Sequence, residues 1–309
     1  MVVWGHIGQD IILRNEIYLF HMSLFFLLSG YFFKDKELTF IDVFKKRVQS
    51  YIIPYFVFFI IILLCFILLY VSTGYADKIY LSPKIIIQPY GVVGALWFLL
   101  SLFEVHIGYY FIAKYIRKEW IQSLICLLCL IFSHIVFKCG IRLPLYIDSS
   151  LSMIIFFHIG YLMHKYRILD FSKYSLLLFA VCILFYTVGI MEKIEIDVMA
   201  NKTEGNILLA FLSAFGGTYI VLHISFLLNK YNKIPFINST LNFLGQNTLV
   251  IFSMHLLCIE IARRLFKFPL SIDATIFDGI YITAWGISSS LIIGIPIKKY
   301  ILPYIRIIK

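Results

Sequence analysis

The chain has 309 residues, of which 61% are apolar and only 14% charged, with a formal net charge of +10. Soluble domains run about 45–50% apolar and about 25% charged, and no globular core of this size can hide so much apolar surface. A water-soluble enzyme, a disordered chain and a disulfide-stapled secreted domain are all excluded; the solvent has to be lipid.

Taken in order, the chain opens on MVVWGHIG, which is apolar, too short to cross a bilayer, and without the basic region that starts a signal peptide. It reads as the outer end of a first helix whose beginning is missing, so a truncated reading frame or misplaced start is expected, and about ten spans in the intact protein. Nine longer apolar runs follow. They are Ile17–Phe33, Ile52–Thr73, Gly91–Ala113, Trp120–Phe137 and Leu143–Met163, then Tyr174–Met191, Asn206–Leu228, Leu241–Ala262 and Phe277–Ile297. A helix needs about 20 apolar residues to cross roughly 30 Å of hydrocarbon. The runs are continuous rather than alternating, which argues against a porin-like barrel. The expected fold is all-α: a polytopic transmembrane helical bundle of about nine full spans plus the stub of a first, in one integral-membrane domain over residues 1–309.

The basic excess invites a nucleic-acid reading, and its distribution answers it. Counted over alternate loops, 17 of the 27 Lys and Arg fall on one side, including Lys34, Lys36, Lys45, Lys46, Arg47 and the four after the last run. The other side carries 10, from Arg14 to Arg263, Arg264 and Lys267. The richer side is cytoplasmic by the positive-inside rule. The C-terminus is therefore expected in the cytoplasm and Gln9–Glu16 outside, with Arg263-Arg264 a local violation. The charge orients the protein in its membrane, and no nucleic-acid partner is implied.

The six cysteines (Cys65, Cys126, Cys129, Cys139, Cys182 and Cys258) lie mostly within apolar runs. Cys126 and Cys129 form a C-x-x-C in mid-helix with no second pair, so small packing residues are the better reading than zinc or redox chemistry. No P-loop, G-x-S-x-G or H-E-x-x-H motif occurs, and no metal site is expected.

Ionisable side chains within spans are costly and are functional candidates by default. Here they are His6, Glu104, His106, His158, His255 and Glu260, with His21 near a span boundary. His106, His158 and Glu260 read as groups that hydrogen-bond across helices, Glu260 being four residues before Arg264, a helical ion-pair spacing. Glu104 follows Leu96-Trp97-Phe98-Leu99; it either orients a histidine or polar substrate or pairs with a neighbouring helix, and both readings stay open. His6, in Trp4-Gly5-His6, has the side chain best suited to removing a hydroxyl proton near neutral pH, although composition alone favours an interfacial histidine bonded to water. Lys45-Lys46-Arg47, ahead of Tyr51-Ile52-Ile53-Pro54-Tyr55, either anchors topology at anionic lipid or holds the phosphates of a nucleotide-like donor.

In combination and order, these segments resemble the acyltransferase family 3 membrane proteins, the sugar and polysaccharide O-acetyltransferases. The resemblance rests on VVWGHIG, then FHMSLFFLLSGYFF (Phe20–Phe33) and KKRVQSYIIPYF (Lys45–Phe56), with ALWFLLSLF (Ala95–Phe103) and FLGQNTLVIFSMHL (Phe243–Leu256) farther on. The first 60 residues carry the specific part; the middle agrees mainly in hydropathy. The resemblance implies that His6 is the catalytic base, reversing the compositional reading, and that Lys46 and Arg47 serve the acyl-CoA side. It also implies that His21 helps shape the site; Glu104 stands as a candidate supporting residue on its own position alone. Ser50 stands where many relatives have Arg, Ser23 where Pro is usual, and the basic residue usual about ten positions before the histidine would precede this chain.

The function so implied is an integral-membrane O-acyltransferase moving acetyl from acetyl-CoA to a hydroxyl of a cell-surface sugar or polysaccharide precursor. Acetyl-CoA is then a substrate and no cofactor is bound. The partners are the donor, a glycan or lipid-linked sugar acceptor and membrane lipid, at the plasma (inner) membrane. The rival is a transporter, flippase or polymerase of lipid-linked sugars, which hydropathy alone does not separate. For the orientation, a cysteine placed near Lys45 should be protected from a membrane-impermeant thiol reagent and one near Lys78 labelled, in a background freed of reactive native cysteines. The reverse pattern overturns the assigned sidedness.

Overall fold

A computed structural model of the chain describes residues 2–6, 13–73, 84–168, 175–231, 235–266 and 276–305. Lys78, Lys173, Lys233, Lys267, Arg306 and Lys309, which entered the count of loop charges, lie outside the described residues. The helices begin with α1 (Val2–Gly5), α2 (Arg14–Tyr18), α3 (His21–Tyr31), α4 (Phe40–Arg47) and α5 (Ile53–Thr73). Next come α6 (Lys84–Ile87), α7 (Trp97–Tyr115), α8 (Glu119–Lys138), α9 (Ile147–Lys165) and α10 (Ser175–Met191). A two-stranded antiparallel hairpin, β1 (Glu195–Asp197) and β2 (Lys202–Glu204), pairs Ile196 with Thr203. The chain continues through α11 (Ile207–Tyr231), α12 (Pro235–Gln246), α13 (Thr248–Phe266), α14 (Ile276–Pro296) and α15 (Leu302–Ile305).

Among the described residues, six helical stretches are long and apolar enough to cross a membrane: Phe40–Leu68, Ile85–Tyr115, Glu119–Lys138, Pro144–Lys165, Ile207–Tyr231 and Phe277–Ile301. Each contains most of an expected run. Their outward side chains, such as Leu64, Leu68, Leu128 and Phe132, are large, apolar and exposed, as lipid contact requires. The protein is a multi-pass, almost wholly helical membrane protein.

Three expected runs depart from a simple span. Ser175–Met191 is apolar but has 17 residues. Ile17–Phe33 is interrupted: α2 ends at Tyr18 and α3, of 11 residues, covers only about half the hydrocarbon at 1.5 Å per residue. At the interruption the Ile17 carbonyl accepts from the Phe20 amide at 3.2 Å and from His21 Nδ1 at 2.9 Å. Leu241–Ala262 is also broken, with Phe236–Gln246 and Thr248–Arg263 meeting at 77°. At that break Asn247 Nδ2 donates to the Phe243 carbonyl (2.9 Å), and Thr248 Oγ1 to that of Gly245 (2.8 Å). Lys298 Nζ caps the end of α12, 2.7 Å from the Gln246 carbonyl and 3.1 Å from Asn247 Oδ1; a cation suits a helix C-terminus.

The chain forms two compact units, each discontinuous in sequence. The first comprises Met1–Arg14, Lys46–Leu100 and Ser239–Lys309. Its core joins Tyr55, Phe58 and Ile62 of α5 to Leu96, Leu99 and, on α13, Val250 and Met254. Here α1 packs against α13 and α14.

The second unit comprises Asn15–Lys45 and Ser101–Asn238. Helix α9 is its centre, packed by α3 and α8, and α10 pairs with α11. Phe33, Tyr109, Phe157 and Tyr161 form an aromatic cluster, with Phe33 to Tyr109 at 5.2 Å between ring centroids. Asn201 fastens the hairpin to α8, its Nδ2 donating to the Ser133 carbonyl at 3.1 Å and its Oδ1 accepting from Ser133 Oγ at 2.8 Å.

Two glycines set the α3–α9 contact. A Cβ at Gly30 would overlap the Phe157 carbonyl, and one at Gly160 the Leu27 carbonyl. Small residues let backbones approach where lipid supplies no hydrophobic drive between helices. Gly30→Leu and Gly160→Leu should each lower the melting temperature of the detergent-solubilised protein, overpacking costing about 1–3 kcal/mol. Gly245→Ala, where nothing lies within 4 Å of the added Cβ, should melt as wild type. Equal melting of all three variants contradicts the close-packed contact.

Candidate active site

His6 lies in the turn that ends α1, its amide donating to the Val3 carbonyl at 3.2 Å. Four residues cannot hold a helix alone, so α1 depends on docking. Val3 is buried with Ile259 of α13 and Ile282 of α14, and Trp4, Ile251 and Ile287 pack around them. Gly286 and Gly279 make room: a Cβ would come within 3.0 Å of Val3 and 2.9 Å of Trp4, respectively. Arg14 closes the other side, its Nε donating to the Gly5 carbonyl at 3.3 Å, again a cation at a helix C-terminus.

This docking sets His6, half-buried, beside His255 of α13. The ring centroids are 5.1 Å apart and the planes are inclined at 43°. Val3 meets Ile259 and His6 meets His255, so α1 runs antiparallel to α13 along the face carrying residues i and i+4. His255 is fully buried. Its Nδ1 donates to the carbonyl of Phe252 at 2.7 Å, with that of Ile251 at 3.2 Å.

Lys46 and Arg47 also belong to the first unit. They end α4, an amphipathic helix continued into α5 by a π-helical turn over Val48–Ile52. Pro54, in the first turn of α5, explains the turn: it offers no amide and its ring crowds the carbonyl four residues earlier. Within the same stretch Ser50 Oγ donates to the Lys46 carbonyl at 2.8 Å. Lys46 is exposed. Arg47 is buried, with its guanidinium carbon 6.0 Å from the centre of the Tyr51 ring.

His21 and Glu104 belong to the second unit. His21 is buried and, beyond its bond to Ile17, meets the Tyr18 ring at 4.9 Å. Glu104 Oε2 accepts from Ser150 Oγ of α9 at 2.6 Å, and Ser150 is 2.7 Å from Ser101, so Glu104 pairs with a neighbouring helix. Of the residues expected to hydrogen-bond across helices, His158 does so, and His106 shows a ring contact instead. His158 has both ring nitrogens engaged, Nδ1 with Tyr109 Oη and Nε2 with Ser123 Oγ, each at 2.8 Å. His106 sits edge-on to Phe157 at 4.7 Å. Glu260 pairs with Arg263 at 3.6 Å; the side chain of Arg264, its expected partner, lies outside the described residues.

Sequence reading included His255 among the intramembrane ionisable residues but gave it no role. The available signal was its place in FLGQNTLVIFSMHL, on one face with Ile251 and Ile259. Its pairing with His6 joins opposite ends of the chain and has no local signature. Among the described residues no cluster of three His, Cys, Asp or Glu side chains could hold a metal ion.

The acyltransferase domain model of acyltransferase family 3 matches residues 1–299. No curated protein and no solved structure matches the chain. The family match spans nearly the whole sequence, including the helix that carries His6, the basic pair before Pro54 and the broken helix that carries His255. The chain belongs to acyltransferase family 3.

Proposed function

We propose that this protein is an integral-membrane O-acyltransferase that moves acetyl from acetyl-CoA to a hydroxyl of a cell-surface sugar or polysaccharide precursor. The observation that carries the reading is the family match over residues 1–299, together with an imidazole at position 6 half-buried in an apolar setting. His6 takes the proton of the acceptor hydroxyl as its oxygen bonds to the thioester carbonyl carbon. The carbon–sulfur bond then breaks, and the departing CoA sulfur takes the proton back from the His6 imidazolium. The products are the O-acetyl ester and free CoA, with no net proton change on the protein.

Arg47 and Lys46 hold the donor's phosphates as charge-assisted contacts. Arg47 suits this because its fork matches phosphate geometry, and its packing near Tyr51 limits the freedom lost on binding. With the basic side in the cytoplasm, the donor comes from within the cell and its pantetheine arm reaches into the bundle. About nine spans, at the plasma membrane with the C-terminus inside, complete this reading. His21 and Glu104 act as supporting residues through the local structure they hold.

In membranes carrying the protein, His6→Ala should remove nearly all acetyl transfer, a loss of about 10²–10⁴-fold, while expression and insertion stay close to normal. His6→Asn is the sharper variant, because it keeps polarity but takes up no proton near pH 7. Arg47→Ala should instead raise the KM for acetyl-CoA, since a lost phosphate contact is chiefly lost donor binding. Wild-type turnover by His6→Asn at normal protein levels removes the base role.

A further inference from the structure

We propose that His255 is the positioning residue for His6: in the substrate complex its Nε2 accepts a hydrogen bond from the adjacent His6 imidazole, a bond not made in this structure, and holds that ring with its other nitrogen turned to the acceptor hydroxyl. The inference rests on the acyl-transfer reading and gives the same site a second histidine.

The protonation pattern of His255 follows from its partners. The carbonyls of Phe252 and Ile251 only accept hydrogen bonds, so the Nδ1 that meets them at 2.7 and 3.2 Å carries the proton. A neutral imidazole protonated at Nδ1 has a bare lone pair at Nε2. That Nε2 is fully buried and, among the described residues, has no hydrogen-bond partner. A buried acceptor left unmet is destabilising, and a residue needed only for packing would be replaced by Leu or Phe without that cost. His158 is the contrast within the same protein, for both of its nitrogens are engaged.

The setting of His255 directs it toward His6. Phe252, one turn earlier on α13, packs on Phe98 at 4.8 Å. Met254 and Leu257 face the apolar core of the first unit, and Ile259 holds Val3. Beside His255 this packing places the ring of His6, at 5.1 Å. The antiparallel register, fixed by Val3 on Ile259 and by the space at Gly286, keeps the two rings together.

The consequence for the reaction is specific. With one His6 N–H bonded to His255, the opposite nitrogen of His6 presents its lone pair. When it takes the hydroxyl proton, the resulting imidazolium donates from both sides, to His255 and to the departing sulfur. His255 gains no proton; it fixes tautomer and orientation.

The test uses the full chain in membranes, with radiolabelled acetyl-CoA as the donor probe and label in membrane glycan as the product. His255→Leu removes the acceptor, and His255→Met does so with an unbranched side chain that fills gaps. His255→Gln keeps an amide donor for the backbone carbonyl and an oxygen acceptor for His6. His255→Leu or His255→Met should lower kcat by on the order of 10²-fold with the KM for acetyl-CoA unchanged. His255→Gln should recover most of it, and His255→Leu should add no further loss to His6→Ala. A second readout needs no acceptor: mass spectrometry of His6 carbethoxylation by diethyl pyrocarbonate, which should slow in His255→Leu and return in His255→Gln.

Wild-type kcat in His255→Leu or His255→Met, with His6→Ala inactive, overturns the pairing alone. So does an unchanged carbethoxylation rate at His6, or a loss that His255→Gln fails to restore. Absence of label transfer by the wild-type protein removes the acyl-transfer reading, and the carbethoxylation arm still decides the pairing.

Discussion

In lipid, every backbone amide and carbonyl has to find its partner inside the protein, because no water is there to serve. The breaks in this bundle are therefore its most informative places. At the two breaks a side chain meets a backbone carbonyl: His21 at Ile17, Asn247 at Phe243 and Lys298 at Gln246. Unbroken stretches such as Glu119–Lys138 satisfy themselves and serve as walls.

The same requirement sorts the histidines. His158 ties α9 to α7 and α8 through both nitrogens and acts as a cross-brace. His21 spends Nδ1 on its own backbone, at the interruption between α2 and α3. His255 also spends Nδ1 on backbone, but its buried Nε2 stands beside the ring of His6. Identical side chains in similar apolar runs thus have different roles, decided by which nitrogens the helices consume. The glycines obey related geometry: Gly30 and Gly160 bring backbones together, whereas Gly279 and Gly286 accept the side chains of a helix too short to stand alone.

Long apolar runs were legible in the sequence because length and composition alone decide whether a helix crosses a bilayer. Trp120–Phe137 and Asn206–Leu228 differ from their helices by one to three residues at each end. The break at His21 was hidden because it lies inside an apolar run. The break at Asn247 was hidden because Gly245-Gln246-Asn247 is too short to lower the hydropathy of its surroundings. Glu260 pairs with Arg263, a neighbour that sequence spacing also allows, since i+3 and i+4 both lie beside a residue on a helix. His6 became a candidate base only through its resemblance to a family, as an imidazole near a membrane boundary is ordinarily just wet. Its contact with His255 joins the two ends of the chain and becomes visible only when α1 is docked.

The central claim is that a thioester donor is consumed and its acyl group leaves on a hydroxyl. Its most direct measurement is the fate of acetyl-labelled acetyl-CoA in membranes that carry the protein, with the glycan fraction separated and counted. The account predicts label in the glycan as an alkali-labile ester, with CoA released in equal amount. Glycan moved across the membrane or lengthened, with no label in it and no CoA released, would contradict the account and favour a transporter or polymerase.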